Sequence, residues 1–316
     1  MKYDRSNAKA HSRATMRGIW AAASTPFKAD GSINEDGLRK NIDHWVNDLG
    51  IDGLFVAGKQ AEFFSLTIEE RKRLMSIAVS ATEGRAQTIM SCSDQNMDVV
   101  IELARHAQSC GADYIVVHAP VLSFLQAQDE TLLSYYETIA SKVDIGMALW
   151  SHPDSGYLMS PELCNRLADI ETVVAIKYSV PRPMYAKLTE LAGDRILVST
   201  ASETEWLDNI LELNWQLYLC SSPPFTLQTA TDRRMLEYTK HAFAGNAVEA
   251  RRVFSSLQPV RDAISSTRPP EKIFAHQKYW QELLGQVGGP VRAPMLELTD
   301  NEKRATRKAF EACGLK

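Results

Sequence analysis

The sequence predicts an α/β fold, a (β/α)8 or TIM barrel with a C-terminal helical extension. Eight short apolar runs alternate with longer amphipathic segments, which is the pattern of strands joined by helices. These runs are continuously apolar, as expected of parallel strands that are buried on both faces. A doubly wound open sheet is the competing fold, but no GxGxxG pattern follows the first run.

The predicted strands are short and recur along the first two thirds of the chain. They span residues 18–24, 53–57, 87–92, 114–119, 145–150, 172–177, 196–200 and 216–221. The segments between them carry helical periodicity, and one, residues 65–81, opens on Thr67 with Glu70 three residues later, a capping box. Other helices are predicted over residues 34–49, 96–110 and 129–142 and from residue 160 onward.

Further helical segments follow the eighth strand. They cover residues 229–243, 247–266, 271–284 and 299–313. We therefore expect a flexible N-terminal lead-in over residues 1–15, a barrel over residues 16–228 and a helical extension over residues 229–316.

Composition excludes several classes of function. The chain has 316 residues and a formal net charge of -4 with both signs interspersed, so neither nucleic acid nor a membrane surface is an expected partner. No apolar run is long enough to span a bilayer, and the N-terminus lacks a signal-peptide core. The five cysteines are scattered without metal-ligand spacing, which favours reduced thiols, no metal site and a cytoplasmic location.

The sixth predicted strand ends on Lys177. Lysine is rarely buried unless it is paired or used, and desolvation favours its neutral, nucleophilic amine. Such an amine suits a Schiff-base enzyme. The alternative is a lysine that turns out to solvent where the strand stops.

In barrel enzymes the active site lies at the C-terminal ends of the strands. The residues expected there are Ser24, Thr25, Gly58, Lys59, Gln60, Ala61, Glu62, Ser91, Cys92, His118, Trp150, Ser151, His152, Lys177, Thr200, Cys220 and Ser221. Lys177 is the only cation expected to point into this mouth from within a strand, which favours a functional lysine over one that turns out to solvent.

Several segments, in order and with comparable spacing, carry a family resemblance. They are Met16-Arg17-Gly18, Thr25-Pro26-Phe27, Gly50-Ile51-Asp52-Gly53-Leu54, Gly58 with Glu62, Leu66-Thr67, Glu69-Glu70-Arg71, Gly111-Ala112-Asp113, Ala175-Ile176-Lys177 and residues 289–294. The chain resembles the class I Schiff-base aldolases of the dihydrodipicolinate synthase and N-acetylneuraminate lyase family. The resemblance implies a barrel, usually a homotetramer, in which the sixth-strand lysine forms an imine with pyruvate or another 2-oxo acid. It implies no metal or organic cofactor.

The loop after the second strand departs from that family. Family members read GTTGE or a near variant there, and the hydroxyl and backbone amides hold the carboxylate of the oxo acid. Residues 58–62 read GKQAE, so the glycine and glutamate persist while both hydroxyls are absent. We expect Gly58, Lys59 and Gln60, with Thr25, to form the substrate-binding loop, although a solvated Lys59 is the alternative.

The fifth strand departs further. The family reads YNxP, with the tyrosine as proton shuttle, whereas residues 150–153 read WSHP, and an indole N–H cannot exchange a proton near neutral pH. The tyrosines after the fourth strand and the arginine after YNxP are also missing, which argues against the lysine-biosynthetic reaction. His152 is the expected replacement acid/base, with His118 a second candidate. Trp150 is expected to line the substrate pocket, as is Cys220, a small buried thiol; each histidine has a purely structural alternative.

The sequence therefore predicts a carbon–carbon lyase that forms an imine at Lys177, with a less polar substrate than the family's usual one. Two alternatives remain within the family: a catalytically impaired barrel that binds a small 2-oxo acid, and a hydratase or dehydratase variant. A third hypothesis is a lyase or hydrolase that uses another site, such as His152 with Cys220.

Overall fold

The chain folds into a barrel of eight parallel strands surrounded by helices, in a computed structural model that describes residues 2–315. The strands are β1 (Gly18–Ala22), β2 (Gly53–Val56), β3 (Gln87–Ser91), β4 (Tyr114–His118), β5 (Gly146–Ser151), β6 (Val173–Tyr178), β7 (Leu197–Ser199) and β8 (Leu217–Ser221). From β1 to β7 each strand pairs with the next in chain order, and β8 pairs with β1. The predicted barrel is confirmed, and every predicted strand overlaps an observed one.

Helices cover the outside of the barrel and form the C-terminal extension. They are α1 (Ala8–Thr15), α2 (Glu35–Asn47), α3 (Ile68–Thr82), α4 (Met97–Cys110), α5 (Asp129–Ala140), α6 (Pro161–Leu167), α7 (Arg182–Ala192), α8 (Glu203–Leu213), α9 (Pro223–Thr226), α10 (Arg234–Phe243), α11 (Ala247–Ser256), α12 (Gln258–Thr267), α13 (Ile273–Leu283) and α14 (Asp300–Ala312). Among residues 2–315, none of these helices is long and apolar enough to cross a membrane.

The start of the chain differs from the sequence-based expectation. Residues 8–15, expected to be part of a flexible lead-in, form α1, which packs against β5 and β6. The Tyr3 hydroxyl donates to the carbonyl of Asp113 at 2.6 Å and accepts from the amide of Gly146 at 2.8 Å. These contacts attach the segment to the barrel, because they supply partners to backbone groups at the N-terminal ends of the strands.

The helical extension also differs in detail. The segment predicted as one helix over residues 247–266 is two helices, because Pro259 lies in the first turn of α12. Proline has no N–H to continue a helix and is favoured at the start of one. The helix predicted to begin at residue 229 begins at Arg234. The capping box predicted at Thr67 and Glu70 is present.

A side chain closes the seam between β7 and β8. The hydroxyl of Ser199 donates to the carbonyl of Leu217 at 2.8 Å and accepts from the amide of Leu219 at 2.8 Å. A hydroxyl can do both at once, so it bridges two strands where a backbone ladder is missing.

The barrel has two apolar layers. One fills its interior and includes Trp20, Phe55, Tyr114, Trp150 and Cys220, and the other lies between the strands and the helices. The interior is thus packed up to the mouth, where the loops after the strands meet.

Candidate active site

Three neighbouring strands bring His118, Trp150 and Lys177 into one row at the mouth. In the β4–β5 pairing His118 lies opposite Trp150, and in the β5–β6 pairing Trp150 lies opposite Lys177. Each lies at or near the C-terminal end of its strand, where barrel enzymes carry their chemistry.

Lys177 is buried between aromatic rings. Its side chain is 3% exposed, and Nζ lies 4.5 Å from the centre of a Trp150 ring and 4.9 Å from that of Phe55. Burial lowers the pKa of Lys177, and the charge of Lys59 lowers it further, while the Cys220 thiol opposes the shift. The site thus favours a neutral amine, the form that attacks a carbonyl carbon.

Cys220 lies in the barrel interior beside this amine. Its side chain is fully buried, and burial raises the pKa of the thiol to about 12, although the charge of Lys177 opposes the shift. The thiol is therefore protonated at neutral pH and acts as a small apolar group.

The loop after β2 covers this part of the mouth. A Cβ atom on Gly58 would lie 2.5 Å from the Phe55 ring, so only glycine allows the loop to pass over that ring. Lys59 forms an ion pair with Asp154, with Nζ 2.5 Å from Oδ2. Gln60 Oε1 is buried without a hydrogen-bond partner among the described residues, and so is the indole N–H of Trp150.

Buried polar contacts fix the conformation of this loop. Glu62 adopts a left-handed backbone conformation, with φ of 57°, and its Oε1 lies 2.5 Å from Nζ of Lys278 in α13. Its Oε2 accepts from the amide of Arg292 at 2.9 Å. Thr25 donates its hydroxyl to the carbonyl of Ala61 at 3.0 Å, so this expected substrate-binding residue supports the loop from beneath.

The two candidate histidines flank Trp150 in different ways. The His118 ring packs edge-to-face against Trp150 with centroids 4.7 Å apart, and the His152 ring lies 6.3 Å away. His118 Nδ1 lies 2.6 Å from the carbonyl oxygen of Ala119, whereas His152 Nδ1 accepts from the amide of Asp154 at 3.1 Å. Burial lowers the pKa of both imidazoles, and the Asp154 carboxylate opposes the shift in both.

Two cavities open at the mouth, and Lys59 borders both. One, of about 200 Å³, is lined by residues that include His118, Trp150 and Asp154. The other, of about 440 Å³, lies on the β8 side. Within residues 2–315, Lys177 lines neither of them, because Trp150 and Phe55 cover its amine.

The larger cavity contains a buried ion pair that was not predicted from the sequence. The guanidinium of Arg261 donates to both carboxylate oxygens of Glu203 at 2.8 Å, and the Tyr238 hydroxyl donates to the same carboxylate at 2.8 Å. Glu203 is the first residue of α8 and follows β7 closely. Its position at the mouth could therefore have been predicted from the end of that strand. Its partner Arg261 lies in the extension and has no local sequence signal.

Comparison with known proteins places this barrel in a family. Residues 15–313 match the model of the Dihydrodipicolinate synthetase family. The chain belongs to this family. It is 33% identical to an N-acetylneuraminate lyase of Clostridium perfringens over 287 residues, 90% of this chain and 95% of that protein. It is 27% identical to a 4-hydroxy-tetrahydrodipicolinate synthase of Methanothrix thermoacetophila over 295 residues, 92% of this chain and 95% of that protein.

A solved structure supports the fold assignment. YagE, a prophage protein of the dihydrodipicolinic acid synthase family from E. coli K12 solved in complex with pyruvate, matches with a TM-score of 0.85 and 23% identity. The match covers 95% of this chain and 99% of that one. The resemblance noted in the sequence is therefore confirmed, and family membership makes the chain a carbon–carbon lyase of the class I aldolase type.

Proposed function

We propose that the protein forms an imine between Lys177 and a 2-oxo acid, and makes or breaks a carbon–carbon bond next to it. The observation that carries this proposal is the burial of a lysine amine at the C-terminal end of a barrel strand, 4.5 Å from an aromatic ring centre. Burial lowers the pKa of this amine, which favours its neutral, nucleophilic form. Pyruvate, present in the YagE structure, is the simplest 2-oxo acid to test.

The proposed reaction uses Lys177, its substrate, a base and protons from solvent. The lone pair of Nζ attacks C2 of the 2-oxo acid, and the carbonyl oxygen leaves as water after it takes one proton from Nζ and one from solvent, which gives an iminium. The resulting iminium draws the electrons of the C3–H bond into a C2–C3 double bond when a base removes that proton. C3 of the enamine then adds to the carbonyl carbon of an aldehyde, or the reverse sequence cleaves this carbon–carbon bond.

Polar groups without partners suit a bound oxo acid. The indole N–H of Trp150 is a buried donor with no acceptor among residues 2–315, and buried polar groups are normally paired. A carboxylate or carbonyl oxygen of the substrate would satisfy it. Lys59 adds a positive charge at the same mouth, with Gln60 beside it, and we propose that residues 58–60 and Trp150 hold the acid.

The substrate differs from that of the lysine-biosynthetic enzymes in this proposal. Trp150 occupies the place of the family's tyrosine and provides no hydroxyl for a relay. In the larger cavity Glu203 is already paired with Arg261 and Tyr238, so its carboxylate has little capacity left for substrate hydroxyls. A less polar aldehyde partner fits this mouth better. The homotetramer and the cytoplasmic location stay predictions.

A second candidate is a barrel that binds a 2-oxo acid without turning it over, which the missing hydroxyl relay favours. To decide between them, pyruvate release or consumption is measured with a panel of 2-oxo acids and aldehydes. We expect turnover that disappears in Lys177→Ala and persists in Lys142→Ala, which removes an exposed lysine. An inactive parent whose pyruvate affinity survives Lys177→Ala would favour the binding protein. Activity that survives Lys177→Ala would indicate a different site, such as His152 with Cys220.

A further inference from the structure

We propose that His118 is the catalytic acid/base of this site and that its Nε2 exchanges the proton at C3 of the imine-bound substrate. This inference rests on the proposed function, because it needs a 2-oxo acid attached to Lys177. It places the proton-transferring residue at the end of β4, whereas the sequence favoured His152, which follows β5.

The first support is geometric. Nζ of Lys177 and the ring of His118 both contact the same indole, at 4.5 Å and 4.7 Å from Trp150 ring centres. His118 also lines the cavity of about 200 Å³ that Trp150 borders. A small substrate bonded to Nζ that extends past the indole edge would enter this cavity next to His118.

The tautomer of the His118 imidazole also supports this role. A carbonyl oxygen only accepts, so the 2.6 Å contact with the Ala119 carbonyl makes Nδ1 of His118 the donor. In the neutral ring Nε2 then carries the lone pair. The same contact fixes the orientation of the imidazole, as an orienting partner does for a catalytic base.

The third support is the rigid attachment of His118. Its amide donates to the hydroxyl of Ser93 at 2.9 Å. The buried guanidinium of Arg71 donates to the carbonyls of Ser91 at 3.1 Å and Ser93 at 2.8 Å. This network ties the end of β4 to the loop after β3 and to α3, so the imidazole is held in place before substrate binds.

His152 is held less suitably for this step. Its Nδ1 already accepts from the Asp154 amide, its side chain is 27% exposed, and its ring lies farther from Trp150.

The charged and titratable groups around His118 come from every neighbouring loop. They are Lys59 after β2, Asp94 after β3, His152 and Asp154 after β5, and Lys177 on β6.

The proposed step moves one proton. Nε2 takes the proton from C3 of the iminium, and the electrons of that C–H bond form the C2–C3 double bond of the enamine. The imidazolium returns the proton to C3 when the reaction runs in reverse. Burial lowers the pKa of His118, so the ring is neutral, and competent as a base, at neutral pH.

The test uses the full-length protein with pyruvate in deuterated water. Proton–deuterium exchange at C3 is followed by NMR, and imine formation is followed separately by borohydride trapping at Lys177. The variants are His118→Asn, whose amide can still donate to Ala119, His118→Gln, His152→Asn, and His44→Asn on the outside of α2 as the control. Adduct formation in a variant also shows that its barrel is folded.

We expect both His118 variants to keep the Lys177 adduct and to lose about 100-fold or more in exchange rate, the usual scale of general acid–base catalysis. The rise of the exchange rate with pH that neutral imidazole produces should vanish in them and remain in His44→Asn. Exchange within threefold of the parent in His118→Asn would overturn the inference, as would loss of exchange in His152→Asn alone. A parent without any adduct would instead overturn the proposed function, and this inference with it.

Discussion

The amine of Lys177 lies over the indole of Trp150, which is its direct neighbour in the β5–β6 pairing. In the family that this chain resembles, a tyrosine hydroxyl stands at that position. Here the aromatic ring is retained and the hydroxyl is absent. In the proposed reaction, the proton is therefore transferred by another group in the mouth. The indole covers the amine, and its N–H has no acceptor among residues 2–315.

Substitution of Trp150 should separate packing from ligand binding. Trp150→Phe retains an aromatic face but removes the N–H and part of the buried ring volume, so we expect a loss of about 1–3 kcal/mol in the free energy of unfolding. If the N–H binds the oxo acid, the pyruvate Kd should rise about tenfold, the value of a hydrogen bond to a charged group. Trp150→Ala should cost about 3–5 kcal/mol, because it leaves a cavity in the barrel interior.

Urea unfolding and a pyruvate titration measure these two effects. An unchanged Kd in Trp150→Phe would show that the indole N–H does not contact the ligand.

The ion pair between Lys59 and Asp154 should matter for substrate affinity and little for stability. The two side chains are 31% and 47% exposed, and such pairs contribute about 0–1 kcal/mol. Lys59→Met should raise the KM for a 2-oxo acid because it removes a positive charge from the mouth. Asp154→Asn should not raise it, because that substitution releases Lys59 from its partner. Steady-state kinetics at two salt concentrations tests both, and equal KM values for parent and Lys59→Met would contradict the assignment.

The buried pair of Glu62 and Lys278 should be a large contributor to the stability of the mouth. Their side chains are 0% and 2% exposed, so removing one partner leaves the other charge buried and unpaired. Lys278→Met should therefore destabilise the protein by about 3–5 kcal/mol. Glu62→Gln combined with Lys278→Met should cost less than the two single changes together. Additive costs in this double-mutant cycle would mean that the two groups do not interact.

His276 should make stability fall in mild acid. Burial lowers its pKa from 6.5 to about 4, and its Nε2 lies 2.9 Å from the Thr267 hydroxyl. Between these values the unfolded chain binds a proton that the folded chain does not. Stability contributed by neutral His276 is thus present above pH 6.5 and is lost as the pH falls towards 4, by at most about 3 kcal/mol.

The measurement is chemical unfolding across this pH range. His276→Gln should show a smaller loss of stability on acidification than the parent, whereas the control His44→Gln should not. Equal slopes for His276→Gln and the parent would contradict the expected burial of a neutral imidazole.

The strands were predictable because parallel strands buried on both faces leave continuous apolar runs. The ends of those strands also located Lys177, Trp150 and His118 at one mouth, since the C-terminal ends of barrel strands converge. Capping at Thr67 was predictable because it depends on residues three positions apart.

The contacts that were missed link distant parts of the chain. Tyr3 forms hydrogen bonds with backbone groups of residues 113 and 146, and Lys278 in the extension pairs with Glu62. Neither contact has a local pattern. The relative distances of the two histidines from Trp150 depend on the course of the loop after β5, which strand alternation does not determine.

Borohydride reduction in the presence of pyruvate tests most directly whether Lys177 is the imine-forming residue. Peptide mapping by mass spectrometry should find a reduced pyruvate adduct on Lys177 and none on Lys278, the other buried lysine among residues 2–315, which is paired with Glu62. The adduct should form faster as the pH rises towards neutrality, because the neutral amine is the nucleophile. No adduct on Lys177 with pyruvate or with any of a panel of 2-oxo acids would contradict the claim.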